Sequence, residues 1–348
     1  MERENRIIGY DCLRIIATFM VIAIHSNVIY LANNLGSVGW YFIMELTALC
    51  VIAVPVFIMI SGAMLLDCGR EIGIRELFFK RVSKQAIPFA IWSIVYVLIR
   101  VIMGKIPLNI NSFVSLIKEP AYYQFWFMYT LLAIYLLLPV LQKIVIHASK
   151  KQIEYILILW LVFSVFVPMV SHFIPALTLS SHVDLILCEG YIGYFILGYY
   201  IKKYPLFKNS EKNWCLILVG ILITGSAAII EWVVFKESNY EGYVYSAYLL
   251  PGVVLSAMGV FNYAGQKQLN LNEKLEKIVV GNSRLSLGIF YVHMLVLTGL
   301  EYLGITGTNS IGVLIVKIVL TYLISLLISY VISKIKYLRP MLLGLNVK

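Results

Sequence analysis

Long apolar runs alternate with short polar connections along almost the whole chain. A run of about 18 or more apolar residues is long enough to cross a bilayer as a helix. We predict ten such helices, at residues 9–31, 40–66, 85–103, 124–146, 153–175, 184–201, 214–235, 243–264, 285–302 and 310–333. The pattern therefore predicts an all-α polytopic integral membrane protein. We expect residues 1–348 to form a single transmembrane domain with no appended soluble domain.

The composition supports this class of protein. Of the 348 residues, 61% are hydrophobic and 13% are charged, and the mean hydropathy is +0.87. Soluble domains do not have such a composition. The net charge of +10 would suggest nucleic-acid binding in a soluble chain, but no basic domain is present to carry it, and we expect no nucleic-acid partner.

The distribution of Lys and Arg predicts the orientation of the helices. Of the 28 Lys and Arg residues, 22 lie in regions that would share one side: the N-terminus and residues 67–84, 142–152, 202–213, 265–284 and 334–348. The loops on the other side hold only Lys105, Lys118 and Lys236. Because cytoplasmic loops are enriched in Lys and Arg, we expect a multi-pass protein of the plasma membrane with both termini cytoplasmic. The basic loops would also contact anionic headgroups of the lipid bilayer.

The first predicted helix carries Asp11, Arg14 and His25, and ionisable residues are costly within a membrane. Eleven helical steps rotate by about 1,100°, so Arg14 and His25 share one face, roughly 16 Å apart along the axis. Asp11 lies on the same face, close enough to pair with Arg14. A structural interpretation is an Arg that sets topology and a His that bonds a neighbouring helix. The catalytic interpretation is an anion-binding Arg14, with Asp11 beside it, below a general base, His25.

Further ionisable residues lie inside other predicted spans. Glu45, Glu189 and His293 are expected at a depth similar to that of His25. Each alone is explained by a polar contact between helices. Together with His25 they predict one polar cavity that opens outward and binds the substrate.

The most basic loop, residues 67–84, also permits two interpretations. It is the loop expected to fix the cytoplasmic side of the protein. Alternatively, it holds the phosphates of a cytosolic nucleotide-like donor beside Arg14. Its candidate ligands are Arg70, Lys80, Arg81 and Lys84.

Aromatic residues begin the fourth predicted helix, at residues 122–129. They are typical of the aromatic belt at a membrane interface, and Trp126 and Tyr129 could equally contact a sugar or another acceptor. The chain contains no Walker loop, HExxH, GxSxG or Cys/His metal spacing. We therefore expect no bound metal, NTPase chemistry or serine-hydrolase chemistry.

Six motifs, in order from about residue 6 to 333, resemble the membrane-bound acyltransferase 3 family. The first is Asp11-Cys12-Leu13-Arg14 with His25. The others are residues 57–65 around Ser61-Gly62, 79–92, 125–129 with Phe125-Trp126-Phe127, 194–200, and 286–293 with Tyr291-Val292-His293. Ala63 replaces the aromatic residue that usually follows Ser61-Gly62 in the family.

The resemblance implies transfer of an acyl group, usually acetyl, from cytosolic acyl-CoA to an acceptor hydroxyl that faces the outside, such as that of a cell-surface glycan. It gives His25 the catalytic role and Arg14 a role on the donor side, and it matches Arg70 to a basic residue after the Ser-Gly motif. The residues alone leave two alternatives open. A transporter or flippase would use Arg14 and His25 in a substrate or proton path, and a non-catalytic scaffold would tolerate their substitution.

Overall fold

The protein is all-α across the residues that its computed structural model describes, which are 6–67, 70–177, 190–235, 247–267 and 269–346. Sixteen α-helices lie there: α1 Ile8–Asn33, α2 Val38–Cys50, α3 Ala53–Leu65, α4 Ile74–Glu76, α5 Ser83–Ile102, α6 Ile110–Val114, α7 Trp126–Leu136, α8 Leu138–His147, α9 Lys150–Trp160, α10 Val167–Phe173, α11 Ile192–Lys203, α12 Ser210–Phe235, α13 Pro251–Gln266, α14 Glu273–Tyr302, α15 Ile311–Lys334 and α16 Leu338–Leu343. Two π-helical segments, Leu77–Val82 and Leu161–Phe166, join α4 to α5 and α9 to α10. The predicted fold class is confirmed.

Seven continuous helical segments within the described residues are long and apolar enough to span a membrane. An eighth is a bent pair, Tyr123–Leu136 and Leu138–His147, whose axes differ by 56°. Pro139 lies at the start of the second half, where a residue without an amide hydrogen ends the preceding helix. The chain is a multi-pass membrane protein.

The remaining two of the ten predicted spans correspond to α11 and α13. These helices have 12 and 16 residues, shorter than a full span. The predicted ranges 184–201 and 243–264 begin in segments that lie outside the described residues, so the described residues contain only part of each.

Observed helices extend beyond the predicted apolar runs. The predicted span 285–302 is the outer part of α14, which begins twelve residues earlier, at Glu273. Asn272 caps it by accepting a hydrogen bond from the backbone N–H of Leu275 at 2.9 Å. Capping and polar helix formers extend a helix into water, which an apolar run cannot predict.

Close helix packing at the centre of the bundle places α1 beside the functional elements. α1 packs against α2, α3, α13, α14 and α15. α3 and α11 approach each other through Gly62 and Gly198, where a Cβ atom would collide with the facing backbone. Small residues of this kind allow two membrane helices to pack backbone to backbone. The face of α1 that carries Arg14 and His25 is directed toward α14, because both side chains contact residues of that helix.

Candidate active site

Two histidines from different helices meet in the interior of the bundle. The imidazole of His25 on α1 and that of His293 on α14 are stacked, with ring centroids 5.3 Å apart and planes inclined by 27°. His293 is fully buried. The structure thus places these two predicted site residues side by side.

The hydrogen bond of His293 fixes which ring nitrogen can accept a proton. Its Nδ1 lies 2.6 Å from the carbonyl oxygen of Phe290. A carbonyl only accepts, so Nδ1 carries the hydrogen, and in the neutral ring Nε2 has the lone pair. Nε2 is buried and has no hydrogen-bond partner among the described residues. A basic nitrogen is thus left available next to His25.

A small chamber of about 20 Å³ adjoins His25. Tyr123 packs edge-on against the His25 ring at 5.1 Å between centroids. Trp126 lines the chamber and packs against Tyr191 and Tyr248. The chamber holds only a few atoms and has largely aromatic walls.

Gln124 also lines this chamber. It is 1% exposed, and neither its Oε1 nor its Nε2 makes a hydrogen bond of normal geometry within the described part of the chain. The Tyr96 hydroxyl lies near this amide but donates to the carbonyl oxygen of Tyr291 at 2.8 Å. A buried amide that makes no hydrogen bond of normal geometry is costly, and its position beside His25 makes it a candidate ligand of the substrate.

A larger cavity of about 320 Å³ lies around Arg14, and we call it the basic cavity. Its charged side chains are Arg14, Lys84 and Arg284, from α1, α5 and α14. Ser61, Tyr135 and Ser283 also line it. Three cations from three helices form a site suited to phosphates.

A hydrogen-bonded network fixes the position of Arg14. The Asp11 carboxylate forms an ion pair with Arg6 at 2.7 Å. The sequence had predicted a direct pair with Arg14 instead. Ser283 on α14 donates to Asp11 at 2.6 Å and accepts from Arg14 at 3.4 Å. Asp11 therefore reaches Arg14 through a serine of the neighbouring helix.

Several predicted site residues lie outside these cavities. Arg70 forms a bidentate pair with Glu76, with N–O distances of 2.6 and 2.7 Å. Lys80 is exposed and Arg81 half-buried, and neither lines the basic cavity. Of the four predicted loop cations, only Lys84 lines it.

Two other predicted substrate ligands, Glu45 and Tyr129, do not line the His25 chamber. The Glu45 carboxylate packs against Gly225 of α12. Tyr129 donates its hydroxyl to the carbonyl oxygen of Leu116 and packs against Phe89. Glu189 lies outside the described residues.

Sequence reasoning missed Gln124, Ser283 and Arg284. Gln124 stands within the aromatic cluster at residues 122–129, and Arg284 was counted only as a loop charge. A signal for the α14 residues does exist. Ser283, Ser286, Phe290 and His293 follow spacings of three, four and three residues, which place them along one side of a helix.

A multi-pass membrane protein with a phosphate-suited cavity below a buried histidine pair has the parts of a membrane group-transfer enzyme. The comparison with protein families identifies which group-transfer enzyme this is. A family described as an acyltransferase domain matches residues 7–333. The chain belongs to the acyltransferase 3 family and is a membrane acyltransferase, which confirms the resemblance. No curated protein and no solved structure gives a match.

Proposed function

We propose that the protein is an acyl-CoA-dependent O-acyltransferase that transfers acetyl from cytosolic acetyl-CoA to a hydroxyl of a cell-surface glycan or similar acceptor outside the plasma membrane. One observation carries the proposal. The basic cavity and the His25 chamber share the side chains of Phe57, Phe127 and Phe290 as walls. A donor bound by its phosphates at Arg14 would therefore have its thioester directed toward His25.

The charge of the basic cavity supports a CoA donor. Coenzyme A carries several phosphate groups, and Arg14, Lys84 and Arg284 are placed to neutralise them. Arg14 and His25 lie on the same helix, roughly 16 Å apart along its axis. An extended pantetheine arm spans such a distance, so phosphates at one end and thioester at the other fit the two cavities.

The histidine pair supports general base catalysis. In the proposed step, the acceptor hydroxyl loses its proton to His25 as its oxygen attacks the thioester carbonyl. The tetrahedral intermediate collapses, the carbon–sulfur bond breaks, and the CoA sulfur leaves as a thiolate that takes the proton from His25. The Gln124 amide would donate to the carbonyl oxygen as negative charge develops on it. In the alternative, His25 itself attacks and carries the acyl group before transfer.

Activity of the purified protein in nanodiscs tests the proposal. We expect acetyl-CoA to release free CoA thiol in the presence of a glycan acceptor, and we expect His25→Ala to reduce this release at least about 100-fold. His147→Ala, at the end of α8 and away from the site, is the matched control and should remain active. A transporter would release no thiol, and a His25→Ala variant with full activity would exclude the assigned base.

The acceptor requires a second measurement. We expect the acetyl-ester content of cell-surface glycans to fall when the protein is deleted, and to return with the unmodified protein but not with His25→Ala. Unchanged glycan acetylation, with CoA thiol release intact in vitro, would direct the search to acceptors other than glycans.

A further inference from the structure

Phenylalanine side chains line each of the three cavities along the proposed path of the acyl group. Phe57 and Phe290 line the basic cavity, the His25 chamber, and a third space of about 10 Å³ beside His293. Phe127 lines the first two. We call these three phenylalanines the aromatic constriction.

The aromatic constriction is assembled from three helices. Phe57 belongs to α3, Phe127 to α7 and Phe290 to α14. The ring centroids of Phe57 and Phe127 are 6.3 Å apart, and those of Phe127 and Phe290 are 5.7 Å apart. At these separations the rings are in van der Waals contact, and together they form a wall that the basic cavity and the His25 chamber share.

A second layer of aromatic rings supports the constriction. Phe125 is fully buried and packs against Phe290 at 6.3 Å and against Tyr291 at 5.8 Å between centroids. Trp126 packs against Phe127 at 6.3 Å. Because packed interiors resist the insertion of extra groups, the constriction has little room to yield.

The cavity volumes on the two sides of the constriction differ greatly. The basic cavity measures about 320 Å³, whereas the spaces at His25 and His293 measure about 20 and 10 Å³. An acetyl group has only three heavy atoms beyond the sulfur. Each additional methylene would have to displace a side chain that lines one of these spaces. Val21, Phe57 and Phe290 line both small spaces, and the two phenylalanines are the larger of these side chains.

We propose that Phe57 and Phe290 determine the length of the acyl chain that the enzyme accepts. This inference rests on the proposed function, since it concerns the acyl group of the same donor. The two rings leave room for an acetyl group at His25 and exclude longer chains. Loss of either ring would join the two small spaces and admit longer acyl groups.

Chain-length profiles test the proposal. The nanodisc-embedded protein is assayed for His25-dependent thiol release with acetyl-, butyryl- and hexanoyl-CoA. One methylene in a tight pocket changes specificity by roughly 10- to 200-fold, so we expect kcat/KM to fall at least about 100-fold from acetyl to butyryl. In Phe57→Ala and Phe290→Ala, the ratio of butyryl to acetyl kcat/KM should rise at least about 10-fold.

Three further variants control for general damage. Phe42→Ala removes a phenylalanine that is 58% exposed on the surface of the bundle and should leave the ratio unchanged. Phe57→Leu and Phe290→Leu, which remove less volume, should give smaller increases than the alanine variants. Because the ratio compares two donors on one protein, a loss of total activity does not affect it.

The results that overturn this inference differ from those that overturn the proposed function. Equal use of acetyl- and hexanoyl-CoA by the unmodified protein excludes a length limit, whatever the variants do. An unchanged ratio in the alanine variants excludes Phe57 and Phe290 as its cause. If no acyl-CoA releases thiol, or if release continues in His25→Ala, the proposed function fails instead.

Discussion

At the scale of single residues, two buried groups have unused hydrogen-bonding capacity at the same place. His293 donates its Nδ1–H to a backbone carbonyl and leaves Nε2 without a partner among the described residues. The Gln124 amide lies near the Tyr96 hydroxyl but makes no hydrogen bond of normal geometry in the described part of the chain. Folding alone disfavours such groups, since each buried unsatisfied polar atom lowers the stability of the protein. We interpret them as groups that gain their partners when substrate binds.

Gln124→Leu should lower the activity of the protein without lowering its stability. Leucine has a similar size and removes a buried amide that makes no hydrogen bond of normal geometry, so we expect an unchanged or higher melting temperature, with about 1–3 kcal/mol of desolvation cost relieved. We expect kcat to fall about 100-fold or more if the amide stabilises the oxyanion. Thermal unfolding and thiol release on the same sample measure both effects.

Gln142→Leu is the matched control for this prediction. Gln142 accepts from the backbone N–H of Ile72 at 2.9 Å and donates to the carbonyl oxygen of Leu65 at 2.7 Å. Its loss should therefore lower the melting temperature and leave kcat nearly unchanged. A Gln124→Leu protein that is less stable but equally active would contradict the assigned role.

His293→Asn tests whether His293 contributes its basic nitrogen. The asparagine amide can still donate to the Phe290 carbonyl, but it has no counterpart of Nε2. We expect the melting temperature to be retained, KM for acetyl-CoA to change little, and kcat to fall about 100-fold or more, as for loss of an acid–base group. Steady-state kinetics measure the two constants separately, and an unchanged kcat would limit His293 to packing against His25.

At the scale of helices, α1 and α14 act as a pair that is held together near the Arg14 end. Ser283 is the link, because it bonds both Asp11 and Arg14 of α1. The pairing brings a cation-lined cavity and a histidine pair onto one helix interface. The position of Arg14 therefore depends on a residue that contributes no charge.

Ser283→Ala should weaken donor binding more than turnover. Loss of a hydrogen bond worth about 0.5–1.5 kcal/mol corresponds to an increase of about 2- to 10-fold in KM for acetyl-CoA, with kcat nearly constant. Ser329→Ala is the control, since the Ser329 hydroxyl is buried without a partner among the described residues. A fall in kcat with constant KM would place Ser283 in the chemical step instead.

The all-α fold was predictable at this scale because apolar length is a local property of the sequence. Eight of the ten apolar runs correspond to helical segments, one of them bent, that are long enough to span a membrane. The polar ends of the helices, such as the start of α14 at Glu273, depend on caps and water. The site was predictable only in part. Helical phase placed Arg14 and His25 on one face. It could not predict that Asp11 forms an ion pair with Arg6 or that Arg284 lines the basic cavity. Those contacts depend on which helices become neighbours.

At the scale of the whole molecule, the proposed reaction requires one orientation in the membrane. In that proposed reaction the donor is cytosolic and the acceptor lies outside, so the basic cavity would have to open to the cytoplasm. The distribution of Lys and Arg favours the same orientation.

Site-directed labelling tests this orientation. Lys151, in the first turn of α9, and Asn111, in the short helix α6, are both exposed. They lie in connections that are expected on opposite sides of the membrane. We expect a membrane-impermeant maleimide to label Asn111→Cys in intact cells, and to label Lys151→Cys only after the cells are opened. The unmodified protein measures the background from native cysteines. Labelling of Lys151→Cys in intact cells would invert the proposed topology.

The aromatic constriction also has a consequence for bioenergetics. An enzyme that transfers a group across a membrane must admit its donor from one side and its acceptor from the other. A continuous water-filled path between the two sides would dissipate the proton gradient. Phe57, Phe127 and Phe290 meet where the basic cavity ends, and hydrocarbon rings offer an ion no replacement for its hydration shell. The three phenylalanines would thus act as an ion seal, which lets the enzyme work across an energised membrane without becoming a channel.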